Sequence, residues 1–215
     1  MLAKDAQFQQ LIALFHKGVR HSYPKGDFII RPGETPPGIF FIESGLVKIY
    51  DITKYGEENL LIIRKSEEFL AITWTFTGID RHIIYAALTP TVTWQIPSKT
   101  FMEFLQKHPE ASLPVLEKVV NMYRLHSERI LNLEYRSVRE RLISFLLTTA
   151  ARFGTKAKDG ILIGVPLRHQ DIASSINSSR ETTSREMAYL EHKGLVSDEQ
   201  FFITLHDLNK LKKYL

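Results

Sequence analysis

Apolar residues recur at helical spacing at the start of the chain, alternate as in strands through most of its first half, and return to helical spacing from residue 98 onward. Residues 4–19 predict an amphipathic helix, with Phe8, Leu11, Ile12 and Phe15 on one face and Gly18 near its end. From residue 21 to about 97, short runs rich in Ile, Val, Phe, Tyr and Thr are punctuated by Gly and Pro. Strands are predicted over 27–31, 38–43, 46–53, 59–64, 82–88 and 91–96, with Gly33, Gly38, Gly45 and Gly56 at turns. Several short strands at near-regular spacing imply a barrel or jelly roll.

The second half is helical at first. Residues 98–108 predict a short helix carrying Phe101, Phe104 and Leu105 on one side and ended by Pro109. A long helix follows over about 111–133. Leu116, Val119, Tyr123, His126, Ile130 and Leu133 stand at a/d heptad spacing on it, a narrow apolar seam that requires a partner helix or the chain's own strand domain. The seam ends near 132–135, where the chain is expected to bend. A new stripe of Val138, Leu142, Phe145, Leu146 and Ala150 begins there, flanked by Arg136, Arg139 and Arg141. Residues 154–158 read as a loop. Residues 161–163 and 165–167 read as a hairpin around Gly164, residues 195–197 and 201–203 as a second hairpin around Asp198, Glu199 and Gln200, and residues 207–215 as a final short helix. Lys210, Lys212 and Lys213 on that helix serve either phosphate contact or solubility.

Between the two hairpins lie two short helical patterns and a turn, RHQDIASSINSSRETTSREMAYLEHKGLV over residues 168–196. Ile172, Ala173 and Ile176 share one face of the first pattern; Thr183, Met187 and Leu190 share one face of the second. Asn177 tolerates the left-handed conformation of a tight turn, and Ser178 or Ser179 can cap the following helix, which therefore starts near Arg180. Its other face offers Arg180, Glu181, Ser184, Arg185 and Ala188. An Arg fork fits guanine O6 and N7, and a carboxylate accepts from the cytosine amine. These residues also have a structural reading, Ser178 with Glu181 as a capping box and Glu181 with Arg185 as an i,i+4 ion pair.

Ser179-Arg180-Glu181-Thr182, Arg185, Leu190-Glu191 and Gly194-Leu195-Val196 resemble the recognition helix of the CRP/FNR family of bacterial transcription regulators. The resemblance implies that Arg180, Glu181 and Arg185 contact base edges in the major groove. The DNA-facing set is read as Arg168, Gln170, Ser179, Arg180, Glu181, Thr182, Ser184 and Arg185. Residues 26–30, 32–33 and 40–49 are similar to the cyclic-nucleotide-binding β-roll of the same family. The fold class is thus α+β: an N-terminal β-roll of jelly-roll type over 1–108, a long dimerisation helix over 109–135, and a C-terminal winged helix-turn-helix over 136–215. Implied partners are double-stranded DNA with a palindromic operator, a second copy of the chain in a homodimer, and RNA polymerase.

The resemblance breaks at the nucleotide pocket. In cAMP-binding members a glycine loop cradles the phosphate, a glutamate holds the ribose hydroxyl, and an Arg followed by Ser or Thr completes the phosphate site. Here Ala71 and Ile72 occupy the glycine and glutamate places, and Arg81-His82 the last. An Ile side chain cannot accept a hydrogen bond from a ribose hydroxyl, so cAMP is predicted to bind weakly or not at all. A pocket for another effector draws on Trp74, Arg81, His82, Tyr123, His126 and Ser127, with Phe76 beside Trp74; the same residues equally fit the packing and rim of an empty roll. His126 carries an imidazole onto the seam, where ligand or proton can bias helix pairing. Haem ligation by His126 or His82 has no motif to single it out.

Composition narrows these readings. With no Cys, a thiolate-held iron–sulfur cluster is excluded and no cofactor is identified. Residues 1–135 carry 15 Lys/Arg and 15 Asp/Glu, residues 136–215 carry 13 and 9, so the whole net charge of +4 lies in the helix-turn-helix part. No catalytic constellation or metal-ligand spacing is present, and no apolar run reaches membrane-spanning length, so a cytoplasmic regulator rather than an enzyme is expected. Two alternatives stay open: a regulator controlled by no small molecule or by a protein partner, and a small-molecule-binding module with a vestigial DNA domain.

Overall fold

A computed structural model describes residues 5–79 and 82–215. The chain forms two compact units, one built from residues up to 51 with 61–124, the other from 52–60 with 125–215. The N-terminal part runs α1 (Asp5–Phe15), β1 (Val19–Tyr23), β2 (Phe28–Ile30), β3 (Ile39–Ser44), β4 (Leu46–Ile52), β5 (Glu58–Lys65), β6 (Phe69–Leu70), α2 (Ile72–Thr77), β7 (Ile84–Ala87) and β8 (Thr91–Ile96). The strands form two four-stranded sheets, β1-β8-β3-β6 and β2-β7-β4-β5.

Strand β3 explains how the roll is filled. Its run Ile39-Phe40-Phe41-Ile42 is buried throughout because both of its faces are covered. Ile39 and Phe41 face a cluster with Leu11, Phe15, Phe69, Phe101 and Val115; Phe40 and Ile42 face a second with Ile30, Val47, Ile49 and Leu70. Phe15 ties the first cluster together, its ring centroid 5.5 Å from Phe41, 5.6 Å from Phe69 and 5.9 Å from Phe101. Gly45 turns β3 into β4 with φ 92°, and a Cβ there would stand 2.4 Å from the Pro90 carbonyl oxygen, so only glycine fits.

Six strands match the sequence expectation within a few residues, and three features depart from it. The first helix stops at Phe15, and residues 19–23 instead pair antiparallel with β8, from Val19 opposite Gln95 to Tyr23 opposite Thr91; a sheet edge wins over the weak helical periodicity of this segment. Lys4, its expected start, lies outside the described residues. Strand β6 has two residues, too few for a pattern, and α2 follows it where a loop was expected.

Helix α3 (Ser98–Lys107) and a 3₁₀ turn (Pro109–Ala111) lead to α4 (Ser112–Tyr135). Among the exposed apolar positions of α4, Leu113, Leu116, Val120, Tyr123 and Ile130 stand at separations of 3, 4, 3 and 7 that keep a heptad register, while Leu131 and Tyr135 fall outside it. Leu116, Tyr123 and Ile130 of the expected seam belong to this stripe. Val119, His126 and Leu133 are half-buried, Val119 because it packs against the α1/α3 core. The exposed stripe is therefore rotated from the expected one.

Ser137 caps α5 (Val138–Phe153) in a reciprocal box with Glu140. There follow β9 (Gly154–Ala157), β10 (Gly160–Ile163), α6 (His169–Ser175), α7 (Arg180–His192), β11 (Val196–Glu199), β12 (Phe202–Leu205) and α8 (Leu208–Lys212). The sheet order is β11-β12-β10-β9. The first hairpin differs from expectation. Residues 154–157 form a strand rather than a loop, because Gly160 at φ 147° turns the chain back onto them, while Val165 and Leu167 are buried outside any strand. The second hairpin turns at Gln200 and Phe201, both at positive φ, one residue beyond the expected tip; the Asp198 carboxylate accepts the Phe201 amide at 3.1 Å and holds that turn. Helix α8 ends at Lys212, and the Asp207 carboxylate caps it by accepting the Lys210 amide, while Lys210 Nζ lies 3.6 Å from the same side chain.

Candidate nucleic-acid interface

Helix α7 begins where the sequence places it. Ser179 is its N-cap and accepts the Thr182 amide at 3.1 Å. Asn177 adopts φ 51°, giving the tight turn between α6 and α7, and the Arg141 guanidinium donates to its carbonyl at 3.2 Å. Ile172, Ala173, Ile176, Thr183, Met187 and Leu190 are all buried, so both helices turn their predicted faces to one core.

The face turned away from that core carries Arg180, Glu181, Arg185 and Ala188, all exposed, with Ser184 half-buried among them. The capping role belongs to Ser179 and not to Ser178, whose hydroxyl donates instead to the Ser179 carbonyl. Glu181 forms no ion pair with Arg185, whose side chain has one weak contact, 3.5 Å to the Thr182 hydroxyl. Arg180 and Glu181 make no side-chain hydrogen bond or ion pair among the described residues. Helix stability therefore does not account for them. Gln170 is exposed on α6, and Ser179 and Thr182 share a 3.1 Å hydroxyl contact at the start of α7.

Behind this face α7 is braced by contacts that the sequence did not single out. Arg139 Nε donates to Glu186 Oε2 at 2.6 Å, and its guanidinium lies 3.7 Å from the Tyr189 ring centroid. The Glu186 bond raises the proton affinity of Arg139. Two of the three arginines read as a basic flank, Arg139 and Arg141, are thus used inside the domain. Arg168 is also engaged: Nε donates to Asp171 Oδ2 at 3.0 Å and raises the Arg168 proton affinity, while Nη2 lies 3.7 Å from Glu58. His169 Nδ1 stands 2.8 Å from the Ser184 hydroxyl. Apart from Asp171, three residues after Arg168 in a local capping pair, the partners of these residues lie 15 to 110 positions away in the chain, where no local motif announces them.

The expected effector residues are distributed over both compact units: Trp74, His82 and Tyr123 belong to the first, His126 and Ser127 to the second. Ala71 takes φ 59° and ψ 19°, the left-handed conformation that favours glycine, so the backbone bend survives the loss of Gly. Ile72 packs into the α1/α3 core and presents no polar atom. Trp74 is half-buried on α2 without a side-chain hydrogen bond or ring contact among the described residues, and Phe76 packs edge-on against Phe101, centroids 6.2 Å apart. His82 is exposed at φ 52°; Arg81 lies outside the described residues. Tyr123 is 71% exposed on α4, with His126 and Ser127 half-buried beyond it. Among the described residues no group of three His, Cys, Asp or Glu side chains is placed to hold a metal ion.

Residues 20–108 match the cyclic nucleotide-binding domain family, and residues 140–214 match the Crp-like helix-turn-helix domain family. The chain belongs to the CRP/FNR family of transcription regulators. The global nitrogen regulator of Synechocystis sp. is 29% identical over 204 residues, 94% of this chain and 91% of that protein. The CRP-like cAMP-activated global transcriptional regulator of Mycobacterium tuberculosis is 25% identical over 191 residues, 89% of this chain and 85% of that one. A CooA mutant from Carboxydothermus hydrogenoformans has the same fold, with a TM-score of 0.79 at 21% identity, covering 99% of this chain and 97% of that one. With its Crp-like helix-turn-helix domain and its CRP/FNR relatives, the chain is a sequence-specific DNA-binding transcriptional regulator and not an enzyme. No helix among the described residues is long and apolar enough to cross a membrane.

Proposed function

We propose that this regulator works as a homodimer, pairing through the exposed α4 stripe and placing two copies of α7 in successive major grooves of a palindromic operator. Arg180 and Arg185 read guanine and Glu181 reads cytosine; Gln170, Ser179, Thr182 and Arg168 position the helix on phosphates or flanking groups. The observation that carries this reading is that Arg180 and Glu181 are exposed and unpartnered on a helix whose opposite face is buried and braced. In this reading the β-roll occupies 1–108, the dimerisation helix 109–135 and the DNA-binding domain 136–215, and RNA polymerase is the protein partner at the promoter.

The regulator does not respond to cAMP. Ile72 lies in the hydrophobic core and offers nothing to a ribose hydroxyl, which favours control by a different effector or by none. The test is anisotropy-monitored binding of purified protein, with no added ligand and at fixed salt, to a duplex of two TGTGA half-sites. Specific binding that Arg180→Ala and Arg185→Ala abolish supports both the DNA face and a ligand-free active state. Equal affinity for scrambled DNA, in the presence as in the absence of candidate effectors, overturns the assignment of the face.

A further inference from the structure

One side chain on the far side of the helix-turn-helix reaches the DNA face from behind. His169, the first residue of α6, puts Nδ1 2.8 Å from Ser184 Oγ. Ser184 lies one turn beyond Arg180 and one residue before Arg185. On its other edge, His169 Nε2 lies 3.2 Å from Asp198 Oδ2 on β11. That contact is off the line of a well-formed hydrogen bond, and Nε2 is buried without another partner. Asp198 is itself fixed: its Oδ1 accepts the Phe201 amide, and its own amide donates to Glu191 Oε1 on α7 at 3.1 Å. One imidazole therefore links α6, the recognition helix and the wing.

We propose that His169 sets the hydrogen-bonding polarity of the Ser184 hydroxyl and so acts, through Ser184, as a specificity-determining positioning residue for DNA. The inference rests on the reading of α7 as the base-contacting helix. A neutral imidazole with its proton on Nδ1 turns the Nε2 lone pair toward the Asp198 carboxylate, which is repulsive. The neutral form therefore keeps its proton on Nε2. Nδ1 is then an acceptor, the Ser184 O–H donates to it, and only oxygen lone pairs remain to face DNA. Ser184 in this state accepts from a cytosine or adenine amine.

Protonation reverses the arrangement. The imidazolium carries N–H on both nitrogens, Nδ1–H donates to Ser184 Oγ, and the hydroxyl proton is released outward. Ser184 then donates to guanine O6 or N7, to thymine O4 or to a phosphate. The same side chain presents an acceptor in one state and a donor in the other. Of the charged groups on elements packed around His169, Asp198 comes from β11, and Glu191 of α7 stands one hydrogen bond beyond it. On its own helix, Arg168 is engaged by Asp171 and Glu58. DNA adds phosphates, which favour a positive charge near the interface, so binding favours the arrangement in which the imidazole is charged and Ser184 is a donor.

The experiment selects an operator from random DNA with the full-length protein at about pH 6 and again at about pH 8. Dissociation constants then follow at both pH values and fixed salt for wild type, Arg180→Ala, His169→Asn and Ser184→Ala. Asn keeps a polar nitrogen or oxygen near the Nδ1 position and cannot become charged. Wild type is expected to bind roughly three- to tenfold more tightly per half-site at the lower pH, with both His169→Asn and Ser184→Ala losing that dependence. The two selected operators are expected to differ at one symmetric position. A flat wild-type profile, or a full pH response retained by either variant, overturns the proposal. Failure of the DNA face itself has a different signature, an Arg180→Ala protein that binds the selected operator as wild type does. Ser184→Ala keeps the test open if His169→Asn does not fold.

Discussion

Removing the Arg180 side chain separates a recognition role from a structural one. In the free protein Arg180 is exposed and has no side-chain hydrogen bond or ion pair among the described residues, so nothing is broken when it is truncated. Arg180→Ala should therefore shift stability by no more than about 0.5 kcal/mol. On DNA, a lost bidentate guanine contact costs roughly 1–3 kcal/mol at each half-site. Two half-sites in a dimer are far enough apart to add, giving roughly 2–6 kcal/mol, or about 30-fold to more than 10⁴-fold in Kd. The salt slope should stay within about one unit of wild type, because a base contact and not a phosphate contact has gone. Fluorescence anisotropy on operator and scrambled duplexes at several salt concentrations reads all three quantities, and thermal melting checks the fold. An equal loss on scrambled DNA would assign Arg180 to phosphates; an unchanged operator Kd would remove it from the interface.

Leu116→Glu and Ile130→Glu charge side chains that are 56% and 57% exposed on α4, so each variant should fold and run as a monomer in multi-angle light scattering; a persistent dimer would place the interface elsewhere. Leu142→Ala empties a fully buried position on α5 and should cost roughly 2–5 kcal/mol in urea melts, and a loss under about 1 kcal/mol would contradict the packing around α5. The Ser137 hydroxyl and amide hold the Glu140 carboxyl below the usual glutamate range, so the cap is intact above that range and is lost as pH falls through the depressed value. Glu140→Gln should accordingly flatten the decline of Tm on the acid side, and an identical acid limb in the variant would show that the cap carries none of it. Added cAMP at millimolar levels should leave Tm unchanged, whereas saturation near 100-fold above a dissociation constant would stabilise by about 2.7 kcal/mol and betray a working pocket.

The parts legible in the sequence are those governed by neighbours in the chain. Asn177 and Ser179 place the start of α7 because the left-handed turn and the N-cap are properties of one residue and the next few amides. The buried faces of α6 and α7 follow from helical periodicity alone. Parts set by distant partners were misread or unseen. Val19 was assigned to the first helix and residues 20–23 to no element, because the strand they pair with lies more than 65 residues later. The α4 stripe was rotated because Val119 is drawn into a core that the heptad pattern does not represent. Arg139 and Arg141 looked like free cations until Glu186 and the Asn177 carbonyl met them.

The sequence by itself determined the order of strand-rich part, long helix and helix-turn-helix, the face of α7 that carries Arg180, Glu181 and Arg185 opposite its buried residues, and the apolar side chain at Ile72. Each of these depends on residue identity or periodicity at short range. Only the tertiary structure decided that Arg168 is held by Asp171 and Glu58, that the α4 stripe runs through Leu113 and Val120, and that His169 joins Ser184 to Asp198. Those depend on directions and distances of a few ångströms between elements far apart in the chain. Hydrogen bonds and charge contacts are decided at that scale, and periodicity carries no information about it.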